Sequence, residues 1–337
     1  MCASKFIGLA EESTYGSAGS TRIDFKILNE TIGTTRNDYY AETTEFWTPD
    51  VKTEGYFTGG GDAVIPVEPV QFPKLLVFFM GDPSSSVITD SAYTHVFKFG
   101  ANEAVSSSAV KAFTITKGVG IEKDRRFDGG FIEGLNIECR ARELVTSTVN
   151  FVHSGNETLQ TAGAPSYTNY TQPYFSFSSA ATMTIGEADR LTTAPTIENF
   201  TVNFNRGIDK DHYVLGARYL AAQTLSGFAS VSGSMDLTFS SEDEHERFLT
   251  AVAGTETGDQ TSFEIILLLQ GALIGSASKY GIQVNIPEAH YTLSDVNVTG
   301  RDRIVQTVNY RGNYNSTDEC AAFVTVTNIT ESYTSLS

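Results

Sequence analysis

Phe131-Ile-Glu-Gly-Leu-Asn-Ile-Glu-Cys-Arg-Ala-Arg142 alternates apolar and polar residues one by one. Leu135, Ile137, Cys139 and Ala141 fall on one face, and Asn136, Glu138, Arg140 and Arg142 on the other. Period-two geometry makes this a strand with one dry side and one wet side, as in the wall of a sandwich or barrel. Val110-Lys-Ala-Phe-Thr-Ile-Thr-Lys117 alternates in the same way. Elsewhere, short runs of Val, Ile, Thr, Phe and Tyr are punctuated by Gly, Asn, Asp and Ser, which is the pattern of a mainly β chain. Phe263-Glu-Ile-Ile-Leu-Leu-Leu-Gln270 is the most apolar stretch, too short to span a bilayer, and reads as a buried strand.

Two short helices interrupt the strands. Pro73-Lys-Leu-Leu-Val-Phe-Phe-Met80 has Pro near its start and Gly81 after it. Ser241-Glu-Asp-Glu-His-Glu-Arg-Phe-Leu-Thr-Ala-Val-Ala253 has a Ser cap, acids in its first turn and Gly254 at its end. These helices expose an internal repeat. Lys74-Leu75-Leu76…Gly81 lines up with Arg247-Phe248-Leu249…Gly254. Upstream, Gly55-Tyr56-Phe57 matches Gly233-Ser234-Met235, and Phe25-Lys26-Ile27 matches Phe200-Thr201-Val202. Downstream, Val149-Asn150-Phe151 matches Val308-Asn309-Tyr310. The expected organisation is two tandem β-sandwich lobes with one short helix each, over 1–155 and 191–337. The small, polar stretch 156–190 serves as linker.

Composition narrows function. Lys and Arg total 23 against 40 Asp and Glu, a formal charge of −17, so no broad surface is offered to nucleic-acid phosphates or anionic lipid. Three cysteines (Cys2, Cys139, Cys320) make no disulfide framework and favour a reducing compartment. The opening Met1–Glu12 has no apolar core of a secretion signal. Five histidines stand singly, without metal-ligand spacing, and no nucleophile elbow or phosphate loop occurs, so no metal, cofactor or enzymatic activity is expected. Acidic pairs such as Glu122/Asp124 and Asp209/Asp211 could in principle hydrolyse glycosides, but the chain has a single tryptophan, Trp47, to serve as a sugar platform. Gly59-Gly-Gly-Asp62 reads as a flexible excursion. Assembly suits these features better than catalysis.

At several places the chain resembles the siphophage-type major tail tube proteins. Ile7-Gly-Leu-Ala-Glu-Glu-Ser-Thr-Tyr-Gly-Ser17 is similar to the family's opening. Glu54-Gly-Tyr-Phe57, followed by Leu75-Leu-Val-Phe-Phe-Met-Gly-Asp82, resembles its Gly-led strand and short helix. Tyr93-Thr-His-Val-Phe97, Phe113-Thr-Ile-Thr-Lys117 and 131–151 resemble its central strands, and Val231-Ser-Gly-Ser-Met-Asp-Leu-Thr-Phe239 extends the likeness into the second half.

The resemblance implies sandwiches whose inner sheets join across subunits into a closed barrel, with rings stacked into a tube that conducts the viral genome. Such tubes are six-lobed, so a duplicated chain implies a homotrimeric ring. Implied partners are further copies of the chain, the tape-measure, tail-tip and tail-terminator proteins, and DNA passing the lumen without specific binding, with no membrane involved. The place of action is the virion tail, assembled in the host cytoplasm. Asn136, Glu138, Asp295 and Asn297 are candidates to face the lumen. Glu11, Glu12, Tyr15, Gly59, Gly60 and Asp62 are candidates for contacts between subunits or rings, within the segments 8–22 and 46–70. These two, with 325–337, are expected to order only on assembly. The rival reading is a virion or surface carbohydrate-binding β-sandwich, adhesin-like.

Overall fold

The alternation that starts at Phe131 belongs to an 18-residue strand, because the residues before it, Lys123 to Gly130, keep the extended conformation. The computed structural model describes residues 5–42, 44–45, 47–48, 51–89, 91–100, 111–120, 122–167, 170–186, 188–191, 197–222, 227–239, 242–250, 262–297 and 304–333. The first half contains β1 (Phe6–Glu11), β2 (Arg22–Phe25), β3 (Asn29–Glu30), β4 (Gly33–Ala41) and β5 (Val51–Pro66). Helix α1 (Phe72–Met80) follows, then a hairpin of β6 (Ser84–Thr89) and β7 (Ala92–Phe99), β8 (Phe113–Gly118), β9 (Lys123–Arg140), β10 (Thr146–His153) and β11 (Glu157–Thr161). The second half contains β12 (Ala180–Ile185), β13 (Ala188–Asp189), β14 (Ile197–Asn205), β15 (Ser230–Thr238) and helix α2 (Asp243–Thr250). It ends with β16 (Phe263–Ile274), β17 (Ser278–Asn297), β18 (Val305–Gly312) and β19 (Ala322–Asn328).

The nineteen strands among the described residues belong to one continuous, antiparallel hydrogen-bonded sheet. In the first half the pairings are β1–β2, β1–β8, β8–β9, β9–β11, β9–β10, β10–β5 and β5–β4. In the second they are β12–β13, β12–β16, β16–β17, β17–β19, β17–β18, β18–β15 and β15–β14. The order is the same, and each helix follows the equivalent strand. Even the irregularities coincide. The register slips between Phe113 and Ile115 as between Phe263 and Ile265, and Glu133 is skipped opposite β10 as Thr292 is opposite β18.

Strand partners correct two of the sequence matches. Gly233 sits opposite Tyr310 as Gly61 sits opposite Phe151, so Gly61 and not Gly55 is its counterpart. Phe25 lies in β2 and pairs with β1, whereas Phe200 lies in β14 beside β15, so these two are unrelated. The pairing of Val149-Asn150-Phe151 does match that of Val308-Asn309-Tyr310. The stretch 156–190 is richer than a linker: it carries β11, β12 and β13. The halves also share one hydrophobic core. Phe79 of α1 meets Phe204 of β14 edge-on at 6.5 Å, and Phe113 of β8 meets Phe151 of β10 at 6.1 Å, so the sheet folds over itself around these rings.

α1 is buried along nearly its whole length. Glu68 accepts the N–H groups of Val70 and Gln71 at 3.0 and 2.6 Å just before it, and Gly81, at φ 88, returns its N–H to the Val77 carbonyl. α2 holds Asp243, Glu244 and Glu246 in its first turn. Its expected Ser241 cap and Gly254 stop lie outside the described residues.

The segments expected to order only on assembly are largely built in. The run 8–22 opens inside β1, where Leu9 and Ala10 are buried. Gly59-Gly-Gly-Asp62 is no loop but the middle of β5, hydrogen-bonded to β4 and β10 on either side. Residues 325–328 belong to β19, and Tyr333 is buried with its hydroxyl donating to the Val70 carbonyl at 3.2 Å. Glycine misled the reading because here it serves close approach. Gly61 stands at φ 141, and a Cβ on Gly233 would lie 2.3 Å from the Tyr310 hydroxyl and 2.1 Å from the Thr201 carbonyl. Gly233→Ala is therefore expected to cost stability at the top of the about 1–3 kcal/mol range for overpacking, read by urea denaturation of the purified subunit.

Candidate assembly surfaces

The strands β4-β5-β10-β9-β14-β15-β18-β17 form a run of hydrogen-bonded neighbours with two unlike faces. Leu135, Ile137, Val149, Phe151, Phe200, Val202, Phe204, Met235 and Val308 point into the core and are at most 2% exposed. Ala141, expected on this dry side, is exposed, because β9 stops at Arg140 and the chain turns through Arg142 at φ 71. Cys139 is half-buried, and burial pushes its thiol up to about 11.

The opposite face is a lattice of short polar side chains. Across it, the register places Arg140, Asn199, Asp236, Thr307 and Asp295 in one row on five successive strands. Glu138, Thr201, Ser234 and Asn309 form the next row, and Asn136, Asn203, Ser232 and Arg311 the one after. The Asn136 amide donates to the Asn203 side-chain oxygen at 2.7 Å, and Asn199 and Thr307 both donate to Asp236, at 3.2 and 2.9 Å. Asn150 donates to Asp62 at 2.6 Å, and Glu138 pairs with Arg140 at 2.7 Å. The face carries Arg140, Glu138, Asp236, Asp295 and Arg311 among more numerous neutral donors and acceptors, and many of these groups are tied to a neighbour.

Asn136 and Glu138 on β9 and Asp295 on β17 thus share one face, and the pairing makes positions equivalent: Asn136 lies opposite Thr148 as Asp295 lies opposite Thr307, and the main chain of Glu138 lies opposite Thr146 as that of Asn297 lies opposite Val305. Three strands lie between the two sets, so four strand spacings, roughly 19 Å, separate them. Asp62 joins the same face. The other residues expected to make contacts divide. Glu11 is exposed and reaches Lys111 at 3.5 Å. Glu12 is buried and accepts the Gly129 and Gly16 N–H groups, both at 2.8 Å, and the Thr114 hydroxyl at 2.9 Å. Its burial pushes the carboxyl above its usual range. Tyr15 stacks on Phe131 and donates to the Leu220 carbonyl at 3.3 Å. Within the subunit Glu12 and Tyr15 act as pins. Gly59 and Gly60 lie inside β5, and a Cβ on Gly59 would meet the His153 ring at 1.9 Å.

His153 carries the clearest pH dependence. Its Nε2–H donates to the Gly33 carbonyl at 3.1 Å, and its Nδ1 accepts the Gly155 N–H at 3.2 Å. Only the neutral imidazole can do both, and burial lowers its pKa to about 4. The unfolded chain, with an ordinary histidine near 6.5, binds the proton first. Stability is therefore present above about pH 6.5 and falls as the pH drops to about 4, by about 3 kcal/mol. Buried Glu12, Glu68 and Asp128, whose pKa values burial raises, act in the opposite sense on acidification. The histidine part is isolated by His153→Gln, which keeps one donor and one acceptor but gains no proton. The difference in denaturation free energy between wild type and variant is expected to shrink across that pH window.

Among the described residues no group of three or more His, Cys, Asp and Glu is placed to hold a metal ion. An apolar hollow of about 250 Å³ beside Cys139, Met183, Phe200 and Leu267 has Glu198 as the one charged residue among its described lining. The described residues thus form a β scaffold with one dry face and one polar face.

Comparison with known protein families matches residues 3–312 to the phage tail tube proteins, and the chain belongs to that family. No curated protein matches it. The membership makes it a structural component of the virion tail.

Proposed function

We propose that this protein is the major tail tube subunit, polymerising into stacked rings whose bore conducts the genome during ejection. The observation that carries this reading is the eight-strand run with a dry face and a polar face, within a pairing order that occurs twice in one chain. Two tail-tube units per chain make three chains per ring with a sixfold appearance. The dry face supplies the wall's core, and the polar face lines the bore, with Asn136, Glu138, Asp295 and Asn297 recurring around it. Its short side chains are engaged with one another, so passing phosphates find few cations, and an acidic protein offers DNA no counterion release to gain. Head-to-tail stacking of rings is a heterologous contact that grows without closing. Assembly precedes incorporation into the virion, beside tape-measure, tail-tip and terminator proteins.

Electron microscopy of concentrated protein, alone and with tail initiation factors, tests the reading. Tubes with threefold rings are expected, six chains per ring would refute the duplication, and dispersed globules absent from virions would refute the tube. The lining is tested by Glu138→Lys with Asp295→Lys. Asp295 is exposed and Glu138 makes a surface pair, so tubes should form normally. Genome ejection should slow at low salt and recover as salt screens the new lysines. Wild-type ejection at low salt would place this face outside the bore.

A further inference from the structure

Two strand joints link the halves, β7 with β19 and β9 with β14, and the second has a vacant counterpart. β9 and β14 pair with Leu135 opposite Phe204, Asn136 opposite Asn203, Ile137 opposite Val202 and Glu138 opposite Thr201. Beyond the strand end, the Arg206 N–H donates to the Glu133 carbonyl at 2.9 Å. The counterpart of β9 is β17, with the same skipped residue and the same neighbour on its far side. The counterpart of β14 is the run Asn29–Arg36. Glu30 lies opposite Ala63 and Gly33 opposite Gly60, as Phe200 lies opposite Met235 and Asn203 opposite Ser232.

Side chains confirm this last equivalence. The Asp62 N–H donates to Thr31 Oγ1 at 2.9 Å, and the Ser234 N–H donates to Thr201 Oγ1 at 3.1 Å. Each threonine hydroxyl also faces the carbonyl of the same partner, at 3.5 and 3.3 Å.

Among the described residues, β4 pairs with β5 alone, and the edge of β17 beyond Ala289, on the side where β16 ends, carries no strand. These are the two edges that β14 and β9 satisfy in each other. We infer that a second copy of this chain closes them, pairing its β17 antiparallel with β4 in the register of the internal joint. Leu293 of one copy then lies opposite Thr35 of the next, Ser294 opposite Thr34, Asp295 opposite Gly33 and Val296 opposite Ile32. The Arg36 N–H meets the Thr292 carbonyl as Arg206 meets Glu133.

The free edge is plugged at its centre. The Ile32 N–H donates to Glu30 Oε2 at 3.0 Å, Lys117 Nζ donates to the Ile32 carbonyl at 2.9 Å, and Glu30 and Lys117 pair at 2.7 Å. Val202, the counterpart of Ile32, instead lies opposite Ile137 of β9. The ion pair thus holds the main-chain groups that Val296 of the incoming copy takes over, a charged guard on an edge that would otherwise pair indiscriminately.

The joint rests on the tube reading, and the test separates the two. Thr35→Cys with Leu293→Cys places thiols on exposed, facing positions, so assembled protein should oxidise to covalent multimers on a non-reducing gel, and neither single variant should. On unmodified protein, hydrogen exchange should slow about tenfold or more on assembly in peptides spanning Ile32–Arg36 and Thr292–Asn297, while the β9–β14 peptides, protected in the free subunit, do not change. Rings by microscopy without that protection, or cross-linking of Asn37→Cys with Leu293→Cys in place of the in-register pair, would overturn the joint and leave the tube standing. Absence of rings under every condition would remove both.

Discussion

Thr34→Pro is expected to abolish ring formation while leaving the subunit folded. The direction of the main chain along this edge decides it. The Thr31 N–H points inward to the Asp62 carbonyl at 2.8 Å, and the Ile32 N–H points away from β5, to the Glu30 side chain. Alternation then turns the Thr34 N–H outward, as that of Arg206 is at the equivalent edge, where it crosses to β9. Proline at 34 costs the free subunit no ladder bond to β5, and proline is at home on an edge strand. Its stability should stay within about 1 kcal/mol of wild type. In the ring the same edge becomes central. Each joint loses a donor, leaves a buried carbonyl at a cost of about 1–3 kcal/mol, and brings the proline ring against the approaching strand. Thr34→Val keeps the N–H and should assemble. The readouts are tube yield by microscopy and denaturation of the monomer. Normal tubes from the proline variant would mean that this edge faces no neighbour.

Where side chains alternate against water, the sequence was readable. β9 follows from its period, both helices from their punctuation and β16 from its apolar run, and the final Val-Asn-aromatic strands of the two halves pair alike. Glycine was the main source of error. Gly59-Gly-Gly-Asp62 has the composition of a loop, yet it is strand, because the His153 ring and the neighbouring main chain occupy the space a Cβ would need. Composition cannot distinguish a glycine kept for freedom from one kept for contact. Glu12 failed for a related reason: an acid among polar residues reads as surface, and the three donors that bury it come from chain neighbours near and far. Half of the polar face was missed although it was legible, since Asn199-Phe-Thr-Val-Asn-Phe-Asn205 alternates as cleanly as the strand that opened the reading. The strand partners were not legible at all. Which edge meets which is set by long-range pairing, and the equivalence of Asn29–Arg36 with Asn199–Arg206 emerges from register, with only Asn-x-Thr, a β-branched residue and the final arginine in common.

The second large effect lies under α2. Glu244, 1% exposed, receives the Tyr291 hydroxyl at 2.6 Å, the Arg247 guanidinium at 3.4 Å and the buried Arg190 guanidinium. One carboxylate thus ties the helix to β17 and to the chain just after β13. α1 makes the equivalent attachment with apolar residues: Phe78 and Phe79 pack on Phe113, Phe99 and Phe204. The ionic version is the more fragile, because its members are stable out of water only together. Glu244→Ala should cost about 3–5 kcal/mol, the usual loss when one partner of a buried pair is removed. It strands Arg190 and withdraws the acceptor of Tyr291, whose ionisation burial already opposes. Glu244→Gln keeps the tyrosine bond and the shape, so it should cost less. Glu244→Leu combined with Arg190→Leu removes both charges and should recover much of the loss, as well-packed apolar replacements of buried ion pairs do. Urea denaturation of the four proteins ranks them. If the double variant is as unstable as Glu244→Ala, the carboxylate matters through packing, and the network is not what holds α2 in place.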